Sequence, residues 1–95
     1  MDEVQLAERL IAYDTSRRAG LGLATDFVSG WLEARGASVE RLSLEGRQFL
    51  LAGVGGGDRR ILLHGHLDVV PGLPGQFAPR RSGDRLIGRG AYDMK

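Results

Sequence analysis

Apolar residues recur at helical spacing from the start of the chain. Val4, Leu6, Ala7, Leu10 and Ile11 follow Asp2, a residue type that caps helix N-termini. The spacing predicts a first helix running to about Tyr13. Asp14-Thr15-Ser16-Arg17-Arg18-Ala19-Gly20 is polar and breaks the pattern. A second helix follows, with Leu23, Phe27, Val28, Trp31 and Leu32 on one face and Gly36 as its C-terminal cap. Gly30 inside it costs about 1 kcal/mol relative to Ala, which points either to close packing or to simple tolerance. Trp31 reads as a core residue, because it falls in register with the other apolar positions.

From Ala37 the pattern changes to strand. Val39 to Leu44 and Gln48 to Val54 flank Glu45-Gly46-Arg47, a turn signal, and together predict a hairpin. Gly55-Gly56-Gly57-Asp58 is the next turn. Arg60 to Leu63, with Ile61-Leu62-Leu63 as its apolar run, suits a buried central strand. Residues 65 to 85 hold all three prolines and read as one long excursion, a feature that tends to carry function in compact domains. Leu86-Ile87 forms a last short strand before Gly88-Arg89-Gly90. Two helices, a hairpin and a buried strand predict an α/β architecture without internal repeats or a domain boundary.

Composition narrows the chemistry. Thirteen basic residues against 12 acidic ones leave a formal charge of +1, which gives no electrostatic case for nucleic acid or an anionic membrane. There is no Cys, so any metal must sit on His and carboxylates. No basic-then-apolar leader opens the chain, and no apolar run approaches the roughly 20 residues that span a bilayer. A soluble cytoplasmic protein is expected. At 95 residues the chain has room for one small domain, and its ending at Lys95, directly after a strand and a glycine-rich turn, suggests part of a larger one.

The densest cluster of chemical groups is His64-Gly65-His66-Leu67-Asp68, at the expected end of the buried strand. Extended residues alternate faces, so His66 and Asp68 share a side, joined by His64 if the strand persists. Ligands in α/β proteins collect beyond the carboxyl ends of strands. A metal-binding imidazole usually donates its second ring N–H to a carboxylate, and a His-x-Asp pair supplies both parts. An ordinary structural role fits as well: backbone partners for both histidines and a turn cap for Asp68. Both readings stand on these five residues.

Asp93 follows the glycine-rich turn Gly88-Arg89-Gly90, where a carboxylate could reach across to bridge two metal ions; such a turn is also common in plain loops. Gly53-Val54-Gly55-Gly56-Gly57 matches no dinucleotide or phosphate-cradling pattern. Arg59-Arg60 and Arg80-Arg81 lack interleaved aromatics and read as solvated surface. None of the serines has a nucleophile-elbow setting.

Taken in order, Ile61-Leu62-Leu63-His64-Gly65-His66-Leu67-Asp68-Val69-Val70-Pro71 and Gly83-Asp84-Arg85-Leu86-Ile87-Gly88-Arg89-Gly90-Ala91-Tyr92-Asp93-Met94-Lys95 resemble one family. It is the family of zinc metallohydrolases and metallopeptidases that includes acetylornithine deacetylase, succinyl-diaminopimelate desuccinylase, aminoacylase and glutamate carboxypeptidase. A His-x-Asp-x-Val-Pro block and a Gly-Arg-Gly-x-x-Asp-Met-Lys block, in this order, carry the likeness. It is tight over residues 61–95 and loose before. The resemblance implies that residues 1–95 are the N-terminal part of a single three-layer αβα catalytic domain. His66 would then ligate one metal, Asp68 would orient His66, and Asp93 would bridge two metals, with a cis peptide at Asp93–Met94. His64 inherits no role.

The implied cofactor of the complete protein is a pair of Zn²⁺ ions, with Co²⁺ as a substitute. The implied substrate is an N-acyl amino acid or small peptide. Between the two blocks the family often carries a Trp and a Pro-Phe pair. This chain has Phe77 and Pro79 only, which leaves the subfamily undefined. The family's general-base Glu and its later ligands have no counterpart here, so the chain alone is expected to be inactive. The alternative is a small non-catalytic binding or assembly domain that keeps the first elements of the fold. Apolar surface left uncovered by missing neighbours is expected to be exposed and to favour self-association.

Overall fold

The computed structural model describes residues 1–95. Helix α1 covers Glu3–Ile11 and α2 covers Arg18–Glu33; strands β1 (Ser38–Leu44) and β2 (Arg47–Gly53) follow. After a long stretch without regular structure come a 3₁₀ turn at Pro74–Phe77, β3 (Arg80–Ser82) and β4 (Arg85–Ile87). Two helices and two small antiparallel strand pairs are compatible with the α/β class. The chain divides into two compact units, Met1–Ala24 with Gly65–Lys95, and Thr25–His64.

In the first unit, Asp2 caps α1 as its residue type predicts. Its carboxylate accepts from Gln5 N, and the Gln5 side chain accepts from Asp2 N in return. The helix stops two residues before Tyr13. Leu10 and Ile11 are buried, while Val4 is exposed, so only the late part of the apolar stripe is covered. Asp14 shapes the connection to α2: its Oδ1 accepts from Ser16 N at 3.1 Å and from Ser16 Oγ, which holds its carboxyl below the usual range. Arg18, Ala19 and Gly20 belong to α2 rather than to the break before it, and a Cβ on Gly20 would collide with the Asp14 carbonyl.

The excursion of residues 65–85 holds more structure than its prolines and glycines predict. Pro74 opens a 3₁₀ turn that ends in the buried Phe77. β3 and β4 pair antiparallel, with Ser82 opposite Arg85 across a two-residue turn whose first residue, Gly83, has φ +60. An Arg81–Glu8 ion pair ties this small ladder to α1.

In the second unit the predicted hairpin forms. Leu44 pairs with Arg47 across Glu45-Gly46, both at positive φ, the geometry of the two-residue turns that match strand twist. Leu42 lies opposite Phe49 and Glu40 opposite Leu51, which puts Leu42, Leu44, Phe49 and Leu51 on one face. All four are exposed. Arg41 on the other face pairs with Asp26 at 2.6 Å. Gly36, at φ +84, follows the helix end as its type predicts. Trp31 is half-buried under the Arg35 guanidinium, 3.8 Å from the ring centroid, rather than sunk in a core.

Two further expectations fail. Leu23 is 59% exposed, and α2 buries the smaller Ala24, Thr25 and Ser29 instead. Arg60 to Leu63 is not a buried strand: it has no regular structure, and Ile61, Leu62 and Leu63 are exposed by 83–89%. A central strand needs a hydrogen-bonding neighbour on each edge. β1 and β2 satisfy each other, and no further segment pairs with residues 60–63.

The two glycines of α2 separate packing from tolerance. Nothing lies within 4 Å of a Cβ built on Gly30. Gly30→Ala is therefore expected to stabilise the chain by up to about 1 kcal/mol, whereas Gly20→Ala should destabilise it by about 1–3 kcal/mol. Urea unfolding curves check both signs.

Candidate metal centre

The site lies within the first unit and rests on two chain segments with separate anchors. The Val69 side of the His66-Leu67-Asp68 segment approaches Gly90, and Thr15, buried at the end of α1, donates its Oγ1 to the Leu67 carbonyl. This bond fixes the residue between His66 and Asp68.

The Gly88–Lys95 segment is anchored at both ends. A Cβ on Gly88 would collide with the buried side chain of Ile11, so only glycine lets the turn approach α1 this closely. At the other end Lys95 Nζ donates to the Tyr13 carbonyl at 2.8 Å and reaches the Ile11 carbonyl at 3.5 Å. Those carbonyls lie at and just past the C-terminus of α1, where a cation is favoured. The ammonium also stands 5.4 Å from the Phe77 ring centroid. Burial lowers the Lys95 pKa, and the Asp14 charge partly opposes that shift. Within the segment, Lys95 N donates to the Gly90 carbonyl at 2.8 Å, Gly90 takes φ +89, and the Asp93–Met94 peptide is cis.

These anchors bring His66 and Asp93 together across 27 positions of sequence: His66 Nε2 lies 3.0 Å from Asp93 Oδ1. On the opposite side of the ring, His66 Nδ1 lies 3.0 Å from the Asp68 main-chain oxygen and 3.4 Å from Asp68 Oδ1. The closer partner of Nδ1 is thus the Asp68 carbonyl, with the carboxylate second. Both ring nitrogens face acceptors, which favours the imidazolium. The His66 pKa is raised above 6.5, first by the bond to the Asp68 carbonyl and then by the bond to Asp93. Asp93 is bonded through Oδ1 alone. His64 is exposed and belongs to the other unit.

The donors suit a cation. Imidazole nitrogen and carboxylate oxygen are ordinary Zn²⁺ ligands, and tetrahedral coordination at the usual bond lengths separates two donor atoms by about 3.3 Å. The observed 3.0 Å is close to that spacing. A cleft lined by His66, Asp68, Arg89, Gly90, Tyr92 and Asp93 opens onto this pair. No group of three or more His, Cys, Asp or Glu residues forms a complete ligand set. What the structure brings together is one imidazole and one carboxylate, His66 and Asp93.

No protein-family model matches the chain. Curated relatives do. Succinyl-diaminopimelate desuccinylase of Sphingopyxis alaskensis is 36% identical over 106 residues, covering 100% of this chain and 28% of that protein. Acetylornithine deacetylase of Aliivibrio fischeri is 35% identical over 88 residues, covering 86% of this chain and 23% of that protein. Succinyl-diaminopimelate desuccinylase 1 of Alteromonas mediterranea is 41% identical over 70 residues, covering 67% and 18%. The chain belongs to the succinyl-diaminopimelate desuccinylase and acetylornithine deacetylase family. It spans between 18% and 28% of the length of these relatives. No helix is long and apolar enough to cross a membrane.

Sequence reasoning picked out His66, Asp68 and Asp93 but missed their supports. Thr15 lies in the polar break between the helices, and Lys95 closes the Asp-Met-Lys block; neither position carries a local signal of its tertiary bond. The Gly83-Asp84 turn between two short β-prone runs was a usable signal for the β3–β4 ladder.

In the metal-free chain the His66 ring is expected to titrate above 6.5, and Asp93→Asn should lower its pKa. Because the folded value is raised, the contribution to stability is present below the unfolded pKa and fades as pH rises through the folded one. An NMR titration of the ring protons checks this; an unchanged His66 pKa in Asp93→Asn would refute the contact.

Proposed function

We propose that this chain supplies the opening elements of a three-layer αβα catalytic domain in a metal-dependent amide hydrolase acting on N-acyl amino acids or small peptides. The observation that carries the reading is the 3.0 Å approach of His66 Nε2 to Asp93 Oδ1, two ligand-type groups on independently anchored segments. The relatives' names, a desuccinylase and a deacetylase, support hydrolysis of an N-acyl group.

In this reading His66 Nε2 and Asp93 hold a divalent cation, Zn²⁺ or Co²⁺. Asp68 holds the His66 ring: with Nδ1–H donating to its carbonyl, the Nε2 lone pair is left facing Asp93. Asp93, bonded through Oδ1 alone, has a second oxygen that would be available to a second cation. When bound, such ions lower the pKa of a coordinated water and polarise the substrate carbonyl. His66 Nε2 would hold either a proton or a cation, so uptake would weaken as pH falls through the His66 pKa.

The chain offers no carboxylate placed as general base and only two ligands, so it is inactive alone. The exposed Ile61-Leu62-Leu63 and the hairpin face of Leu42, Leu44, Phe49 and Leu51 support this. They have the composition of sheet interior and would be covered by further strands and helices of a complete domain. Uncovered, they favour self-association.

The test uses the 95-residue chain at neutral pH. Zinc titration calorimetry should give affinity weaker than micromolar, reduced about tenfold or more by either His66→Ala or Asp93→Asn. N-acetylated amino acids with added Zn²⁺ should not turn over. Zinc-dependent turnover abolished by His66→Ala would overturn the inactive-alone reading, and zinc binding untouched by both substitutions would overturn the site.

A further inference from the structure

We propose that Gln76 and Arg89 form a clamp that sets where Asp93 stands relative to His66, which makes them positioning residues for the cation site. The inference rests on the metal reading given above. Arg89 engages Gln76 twice: Arg89 N donates to the Gln76 main-chain oxygen at 2.7 Å, and Arg89 Nη2 donates to Gln76 Oε1 at 2.8 Å. The same Oε1 accepts from Leu73 N at 2.7 Å, closing the Pro74–Phe77 turn on itself. One amide oxygen thus joins the turn and the glycine-rich segment.

The fit around the clamp is tight. A Cβ on Gly72 would stand 2.5 Å from Gln76 Oε1 and 2.8 Å from Arg89 Nε. Arg89 Nε is buried and has no hydrogen-bond partner, while Nη2 of the same guanidinium is bonded to Gln76. An unpartnered buried N–H costs stability. Arg89 also stands as the wall between two clefts, one lined by His66 and Asp93, the other by Gln76, Ala78 and Pro79.

The connection from Arg89 to Asp93 is short and stiff. Ala91 N donates to the Gly88 carbonyl at 3.1 Å and Lys95 N to the Gly90 carbonyl at 2.8 Å, so a shift of Arg89 moves Asp93 with it. His66 is held by a different anchor, the bond from Thr15 to Leu67. The clamp therefore adds a third hold on the Asp93 segment, beside the packing of Gly88 on Ile11 and the bond from Lys95 to the Tyr13 carbonyl. Neither Gln76 nor Arg89 is a ligand.

The test compares the full chain with Gln76→Met, which removes the acceptor at similar size and charge, and Gln76→Glu, which keeps it. Two readouts are taken: Co²⁺ titration followed by visible absorption, and the ¹⁵N shifts of the His66 ring in the metal-free chain. Gln76→Met should bind Co²⁺ about tenfold more weakly and move the ring shifts toward those of Asp93→Asn. Gln76→Glu should restore both. If Gln76→Met loses its helical signal, Arg89→Lys, which keeps the charge and removes the planar fork, is read in its place. A folded variant with wild-type ring shifts and Co²⁺ affinity within about twofold overturns the clamp. If the unsubstituted chain gives no Co²⁺ spectrum, the metal reading fails, and the ring shifts alone decide the clamp.

Discussion

A single contact organises the candidate site, the 3.0 Å approach of the His66 imidazole to the Asp93 carboxylate. Left to themselves, two exposed side chains separated by 27 residues would spend little time together, because ordering them costs conformational entropy that a solvated ion pair hardly returns. The cost is met by the backbone. Thr15 fixes Leu67, Gly88 lets its turn lie on Ile11, and Lys95 fastens the segment to the carbonyls that end α1. All of these converge on the last turn of α1 and the residues just after it, so a short, well-capped helix is the floor on which the site stands.

The electrostatics of the pair follow from that arrangement. Oxygens approach both nitrogens of His66, one from Asp68 and one from Asp93, and the ring responds by holding its proton more strongly. The same arrangement that retains a proton at Nε2 suits a divalent cation, since both are positive charges placed between a nitrogen lone pair and a carboxylate. Under the proposed metal reading, proton and metal would compete for one position. The chain's kin are succinyl-diaminopimelate desuccinylases and acetylornithine deacetylases, of whose length it spans about a quarter.

Much of this was legible in the sequence, and the failures have a common cause. Local chemistry is legible: Asp2 as a cap, the Glu45-Gly46-Arg47 turn, and Gly36 after α2. These depend on a few neighbouring residues. The three site residues were recognisable because two blocks occur in order, although His66-Leu67-Asp68 alone fits an ordinary turn equally well. What failed depended on long-range partners. Ile61-Leu62-Leu63 has the composition of a buried strand, yet burial requires neighbours that this chain does not provide. Leu23 lies in helical register with Phe27, but α2 buries its small residues instead. The roles of Thr15, Gln76 and Lys95 rest on hydrogen bonds to segments distant in sequence, which leave no periodic trace.

The most direct measurement of the central claim is an anomalous difference map at the zinc edge from crystals of the 95-residue chain soaked in Zn²⁺. A peak is expected about 2.0–2.2 Å from both His66 Nε2 and a carboxylate oxygen of Asp93. Finding those two side chains apart, with zinc elsewhere or nowhere, would contradict it.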